Sequence, residues 1–193
     1  MTLSTSRSTG SSDKKAKGYL LGLRVVVPNE EDSIRIYSLG FYGKPFGVRK
    51  PGPREYREVL ELSFVEALYL CEQGFLEVVD ENNNVIACTK LLEEGKKRIS
   101  NFELLYKVYK DLRNKGFVVR SGLKFGSDYS LYRQGPGVDH APFLVHVFKK
   151  GDRIDPIEIV RAGRLSHSVK KKFIMAVVDG NNVSYVYFEW FRP

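Results

Sequence analysis

Hydrophobic and polar positions follow two rhythms along this chain. Leu20 to Val27 is an apolar run stopped by Pro28, which predicts a strand, and Ser33 to Leu39 alternates weakly and reads as another. Ser63-Phe64-Val65-Glu66 sets Ser and Glu three apart ahead of apolar residues, a capping-box pattern, and Gly74 suits the residue just past a helix end. A helix is predicted over about 64–73. Phe75 to Val79 and Val85 to Thr89, joined by Glu81-Asn82-Asn83-Asn84, read as a hairpin.

The second half opens with another capping-box pattern, Ser100-Asn101-Phe102-Glu103. Phe102, Leu105, Val108, Tyr109 and Leu112 then share one helical face, up to a stop at Gly116. Phe117 to Arg120 is a short predicted strand. Phe125 to Arg133 and Pro142 to Phe148 are longer ones. Asp155-Pro156-Ile157-Glu158 starts a third helix that should end near Ser166, with Asp155 as N-cap and Pro156 in the first turn. Lys172 to Val178 and Val183 to Trp190 read as strands turned by Asp179-Gly180-Asn181-Asn182. The order α-β-β-β-α-β-β predicts a mixed sheet flanked by helices.

The fold class is therefore α/β of the mixed α+β kind, in two small domains. We expect a disordered tail over 1–17, where Ser and Thr dominate. An N-terminal α/β domain over 18–95 and a C-terminal domain over 96–193 should follow. Gly40 to Arg54 breaks both rhythms. It holds four Gly, three Pro, four Lys/Arg and three aromatics with no acid, so it is a basic loop.

Charge sharpens the division. Residues 1–95 carry 12 Lys+Arg against 14 Asp+Glu, whereas 96–193 carry 19 against 9, so the net +8 of the chain comes entirely from the second half. Such asymmetry points to a polyanionic partner there. No run of about 18 apolar residues exists to cross a membrane. The N-terminus lacks an apolar h-region, which argues against secretion. Cys71 and Cys88 are too few for a disulfide framework or a four-ligand zinc site. A cytoplasmic, reducing location is the default.

No carboxylate cluster has metal-ligand spacing, and no glycine-rich phosphate loop opens a helix. A metal and a cofactor are therefore not expected. What remains is a phenol, an imidazole and lysines beside loops. Tyr132 ends one strand, His140 follows the turn Gln134-Gly135-Pro136-Gly137, and Lys171 begins a later strand. These types suit RNA cleavage by the ribose 2′-hydroxyl. Histidine can protonate the leaving 5′-oxygen near neutral pH. Lysine can hold charge on the phosphorane. Tyrosine as base needs its pKa, normally about 10, drawn down by cations. Taken singly, a strand-end Tyr is most often a packing residue and a lysine triplet a solvated face. His146, inside a strand, and His167, near a helix end, are read as structural.

Three separated stretches in order carry a family resemblance. Gly122 to Tyr132, then His140-Ala141-Pro142-Phe143-Leu144-Val145, then Arg164-Leu165-Ser166-His167-Ser168-Val169-Lys170-Lys171 resemble the archaeal tRNA-intron (splicing) endonucleases. The resemblance covers about 98–193 well and the first half more weakly. It implies excision of introns from precursor tRNA at bulge–helix–bulge junctions, without metal, leaving a 2′,3′-cyclic phosphate and a 5′-hydroxyl. By motif position it implies Tyr132 as base, His140 as acid and Lys171 as the stabilising lysine, with Lys170 and Lys172 as secondary phosphate contacts. It further implies two arginines gripping a flipped base, Arg164 and Arg192. The loop at 40–54 resembles an insertion of the crenarchaeal type. There Lys44, followed by Arg49 and Lys50, is expected to reach the RNA. Members of that type work as two catalytic plus two structural subunits, so a structural partner and strand pairing through Val183 to Trp190, ending in Trp190-Phe191, are expected. The alternatives are a non-catalytic RNA-binding protein, a structural subunit of the same type of assembly, and a metal-dependent nuclease.

Overall fold

A computed structural model describes residues 14–188. The chain opens with a hairpin of β1 (Ala16–Leu21) and β2 (Arg24–Val27), turned at Gly22, whose φ of +58° is one that L side chains resist. The single strand expected over 20–27 is thus two. The tail expected through residue 17 also ends sooner. Ala16 is fully buried and pairs with Leu76 in a parallel ladder, so sheet formation claims it.

The strand expected over 33–39 is α1 (Glu30–Ser38). Asn29 caps it by accepting from the Asp32 N–H at 3.0 Å, and Glu30, Glu31 and Asp32 occupy the first turn, where the helix dipole favours anions. The buried positions Ser33, Ile36 and Tyr37 are three and four apart. Ser33 disguised that rhythm: it is polar yet buried, and its hydroxyl donates to Val27 O at 2.9 Å.

The basic stretch that follows is irregular except for β3 (Lys44–Pro45), which pairs with β4 (Leu60–Ser63). Both halves of the first predicted capping box form at the start of α2 (Phe64–Glu72). Glu66 N–H donates to Ser63 Oγ at 3.4 Å, and Ser63 N–H donates to the Glu66 carboxylate at 2.8 Å. β5 (Leu76–Val79) and β6 (Val85–Ile86) make the expected hairpin, but the second arm is short. Instead of continuing to Thr89 the chain enters α3 (Cys88–Arg98). This sheet runs β3-β4-β2-β1-β5-β6, with only β1 and β5 parallel. The two cysteines form one crosslink, Cys71 to Cys88, between the end of α2 and the first residue of α3.

The second half begins with α4 (Phe102–Asn114). The capping box expected at Ser100 does not form. Asn101 is the N-cap, in the left-handed region at φ +56°, with no side-chain capping bond. β7 (Val118–Ser121), a single 3₁₀ turn (Leu123–Phe125), β8 (Tyr129–Tyr132), β9 (Phe143–Lys149), α5 (Pro156–Ser168), β10 (Lys172–Asp179) and β11 (Asn182–Phe188) complete the description. β8 is shorter than the predicted 125–133 because the 3₁₀ turn consumes its start. Trp190 and Phe191 lie outside the described residues. The sheet order is β11-β10-β9-β8-β7. β9 and β10 are parallel and joined through α5, and the other neighbours are antiparallel. The architecture is thus mixed α/β, with two mixed sheets.

Strand periodicity divides the second sheet into two faces. Val119, Tyr129, Leu131, Val145 and Ala176 face α4, where they join Tyr109 and Leu112 in the core. Arg120, Ser130 and Tyr132 lie on the opposite face, the one that α5 covers further along against His146 and Phe173. α4 also packs on the first half. Phe64 meets Phe102 edge-on at 5.7 Å between ring centroids, and Tyr69 meets Tyr109 at 5.8 Å. The Arg113 guanidinium lies 4.0 Å from the Tyr42 ring centroid and donates to Gly40 O at 2.9 Å. One continuous core therefore joins the two sheets and fixes the start of the basic loop. Among the described residues, no helix is long and apolar enough to cross a membrane.

Candidate catalytic cleft

β8 ends at Tyr132, and the chain then folds back in a turn over 133–139 that Asp139 organises. Its carboxylate accepts the backbone N–H of Arg133 at 2.9 Å, of Gln134 at 3.3 Å and of Gly135 at 2.8 Å. Burial pushes that carboxyl upward, but the backbone donors outweigh it and hold the acid below its ordinary range. With the turn closed, exposed His140 follows at once, just before β9.

Lys171 reaches the same place from the other side. α5 ends, Lys170 reverses the chain at φ +55°, and Lys171 N–H donates to Ser166 O at 2.7 Å. Next, Lys172 N–H donates to Pro142 O at 2.8 Å, which seats the start of β10 beside the start of β9. The Lys171 ammonium donates to Ala141 O and lies 5.0 Å from the centre of the Phe125 ring.

Tyr132, His140 and Lys171 line one cavity of about 830 Å³. Lys44, Arg49 and Lys50 of the basic loop line it too, with Arg120 and Lys124. Asp139 is the one acid in the lining, and its oxygens are engaged by the turn. The chamber is therefore strongly cationic and suited to a phosphodiester. Among the described residues no group of three or more His, Cys, Asp or Glu converges.

Burial raises the Tyr132 phenol above its ordinary pKa. The Arg120 charge pulls it down, and the Asp139 charge pushes it up. The cations the sequence called for are present, yet burial wins. Burial also lowers the Lys171 ammonium. In both groups burial disfavours the charged form.

The other expected residues are distributed differently. Arg164 is exposed on α5 and does not line this cavity, nor do Lys170 and Lys172. Lys172 sits 5.1 Å from the Tyr187 ring centre and lines a neighbouring apolar pocket between α5 and β10–β11, shared with Lys171. Arg192 lies outside the described residues. His146 packs among rings, 5.2 Å from Phe173 and 6.4 Å from Phe148, and burial lowers its pKa, in keeping with a structural role. Sequence reasoning missed Arg120. Its only signal was a charged residue breaking the apolar run of Phe117 to Val119, on the strand that pairs with the one ending in Tyr132.

Comparison with known proteins identifies the family. Residues 102–185 match the family described as tRNA intron endonuclease, catalytic C-terminal domain, and residues 16–92 match its N-terminal domain. The chain is 49% identical over 179 residues to a tRNA-splicing endonuclease of Hyperthermus butylicus, covering 92% of this chain and 99% of that one. It is 45% identical to that of Saccharolobus solfataricus and 44% to that of Saccharolobus islandicus, covering 91% of this chain and 98% of theirs. Matched over nearly its whole length, with both domains in order, the chain belongs to the archaeal tRNA intron (splicing) endonuclease family.

Proposed function

We propose that this chain is a catalytic subunit that excises introns from precursor tRNA at bulge–helix–bulge type junctions, without metal. The observation that carries the reading is the meeting of a phenol, an imidazole and an ammonium in one cationic cavity. In the proposed step Tyr132 takes the proton of the ribose 2′-hydroxyl, and that oxygen attacks the adjacent phosphorus. Lys171 holds the charge that builds on the non-bridging oxygens, and His140 gives a proton to the departing 5′-oxygen. The products are a 2′,3′-cyclic phosphate and a 5′-hydroxyl. One proton leaves and one arrives, so no water or metal is consumed.

Binding is assigned around this core. Lys44, Arg49 and Lys50 meet the RNA backbone near the cut, with Lys44 leading. Arg164 and Arg192 clamp a flipped base by stacking on its two faces, which positions without reading sequence. Lys170 and Lys172 take flanking phosphates. The exposed side chains Val186 and Tyr187 on β11, at the open edge of its sheet, suit a partner subunit. The assembly proposed is two catalytic and two structural subunits, in the cytoplasm. The test is incubation with an intron-containing precursor tRNA in EDTA, with and without a structural partner, reading the end groups. Cleavage in EDTA to cyclic phosphate ends, dependent on the partner, is expected. Silence in EDTA with restoration by a divalent cation would overturn the mechanism, and full activity of the lone chain would overturn the assembly. Normal cleavage of both strict and relaxed intron structures by Lys44→Ala would remove Lys44 from the site.

A further inference from the structure

The basic loop is built onto the catalytic turn. Gly43 has both backbone groups engaged: its N–H donates to Glu66 Oε1 at 3.0 Å, and its carbonyl accepts from Arg120 Nη1. The same Nη1 donates to Phe41 O at 2.6 Å. The Glu66 carboxylate lies 3.6 Å from that nitrogen, with both side chains largely buried at 17% and 10% exposure. Charge-assisted bonds of this kind, shielded from water, are the strong ones. Arg120 belongs to β7, and Ser130 lies directly across from it on β8, two residues before Tyr132.

The loop and the turn also touch where neither has room for a side chain. A Cβ on Gly135 would come within 2.4 Å of the Phe41 ring, and one on Gly137 within 2.9 Å of Gly52 Cα and 2.8 Å of Pro53 Cδ. Phe41 and Gly52–Pro53 lie near opposite ends of the loop, and Gly135 and Gly137 lie between Tyr132 and His140. The loop therefore rests on the segment that separates the two.

We propose that Arg120 is a positioning residue that seats the basic loop on the catalytic turn, so that Lys44 stands in the cleavage cavity before RNA arrives. It acts through the loop rather than on the scissile phosphate. A lysine on an unseated loop would lose its freedom only on binding RNA, whereas a seated one has lost it already. The reading rests on Lys44 contacting RNA for its consequence, but not for the seating itself.

The experiment separates these. The full-length Arg120→Met chain is digested with limiting trypsin, and cuts after Arg49 and Arg54 are followed by mass spectrometry; Lys44 and Lys50 precede proline and resist. Loss of the seat should speed those cuts by roughly tenfold or more, with sites elsewhere unchanged. Single-turnover cleavage of precursor tRNA by the assembled enzyme is then measured for Arg120→Met, Lys44→Ala and the double variant. Added to Arg120→Met, Lys44→Ala should cost no more than about twofold further, because the lysine has already lost its seat, whereas any direct effect of Arg120 on the Tyr132 phenol is common to both Arg120→Met chains. Unchanged tryptic cutting, or losses that multiply, would overturn the proposal. Faster cutting with harmless Lys44→Ala would uphold the seat and overturn the Lys44 reading instead. Should Arg120→Met lose its native circular dichroism, Gly43→Ala replaces it, since its Cβ would stand 2.9 Å from Glu61 O and lift the loop carbonyl off Arg120 without touching the turn.

Discussion

The crosslink between Cys71 and Cys88 offers the firmest quantitative test. It closes a loop of sequence separation 17 that contains the β5–β6 hairpin. Chain-entropy reasoning assigns such a closure about 3 kcal/mol, by restricting the unfolded state. For a chain of this size each kcal/mol moves the melting temperature by about 2–4 °C. Cys88→Ala, or saturating reductant on the unaltered chain, should therefore lower Tm by about 6–12 °C. The assay is thermal unfolding by circular dichroism with and without reductant, alongside thiol titration before and after reduction. Neither cysteine lines the cleavage cavity, so single-turnover cleavage well below both transitions should stay within about twofold of the unaltered rate. A Tm that reductant moves by less than about 2 °C would refute the reasoning, as would a Cys88→Ala chain that reductant continues to destabilise.

Three further outcomes follow from the site and its supports. Burial lowers the Lys171 ammonium, so the rate should fall on the alkaline side as that charge is lost, and Lys171→Arg, whose charge persists, should move the fall to higher pH; a fall at the same pH in both chains would reject the assignment. Asp139→Ala frees three backbone donors of the turn between base and acid, and should cut the single-turnover rate about 100-fold while leaving RNA affinity by filter binding nearly unchanged. Gly95→Ala should destabilise despite a helix-propensity gain of up to about 1 kcal/mol, since its Cβ would stand 2.3 Å from the buried Phe102 ring and overpacking costs about 1–3 kcal/mol; an unchanged or raised Tm would show that the ring can yield.

Where the sequence was legible, a local rule and a tertiary requirement agreed. Ser63 and Glu66 cap α2 as their spacing indicates, and Asp155 caps α5 by accepting from the Ile157 N–H at 2.9 Å. The apolar face of α4 matches the face that is buried. Where it was illegible, the two diverged. β1 and β2 fused into one apparent strand because Leu21 and Leu23, flanking the turn glycine, are apolar yet about half exposed. α1 hid because one of its three buried residues is a serine. α3 buries only Leu91 and Gly95 and has no side-chain cap, so it left neither a stripe nor a start signal. The site divides likewise. Tyr132, His140 and Lys171, picked out by their order along the chain, line one cavity. Arg120, and the contact of the loop with Gly135 and Gly137, depend on two segments some eighty residues apart folding together, which no local rule reports.

The left-handed backbone at Lys170 makes three identical neighbours unlike one another. One forms the bend, the next inherits the chamber, and the third begins a ladder beside an aromatic ring. Composition cannot tell them apart, but a frame shift would: removing a single lysine from the triplet would leave the charge nearly intact while handing each survivor its neighbour's task.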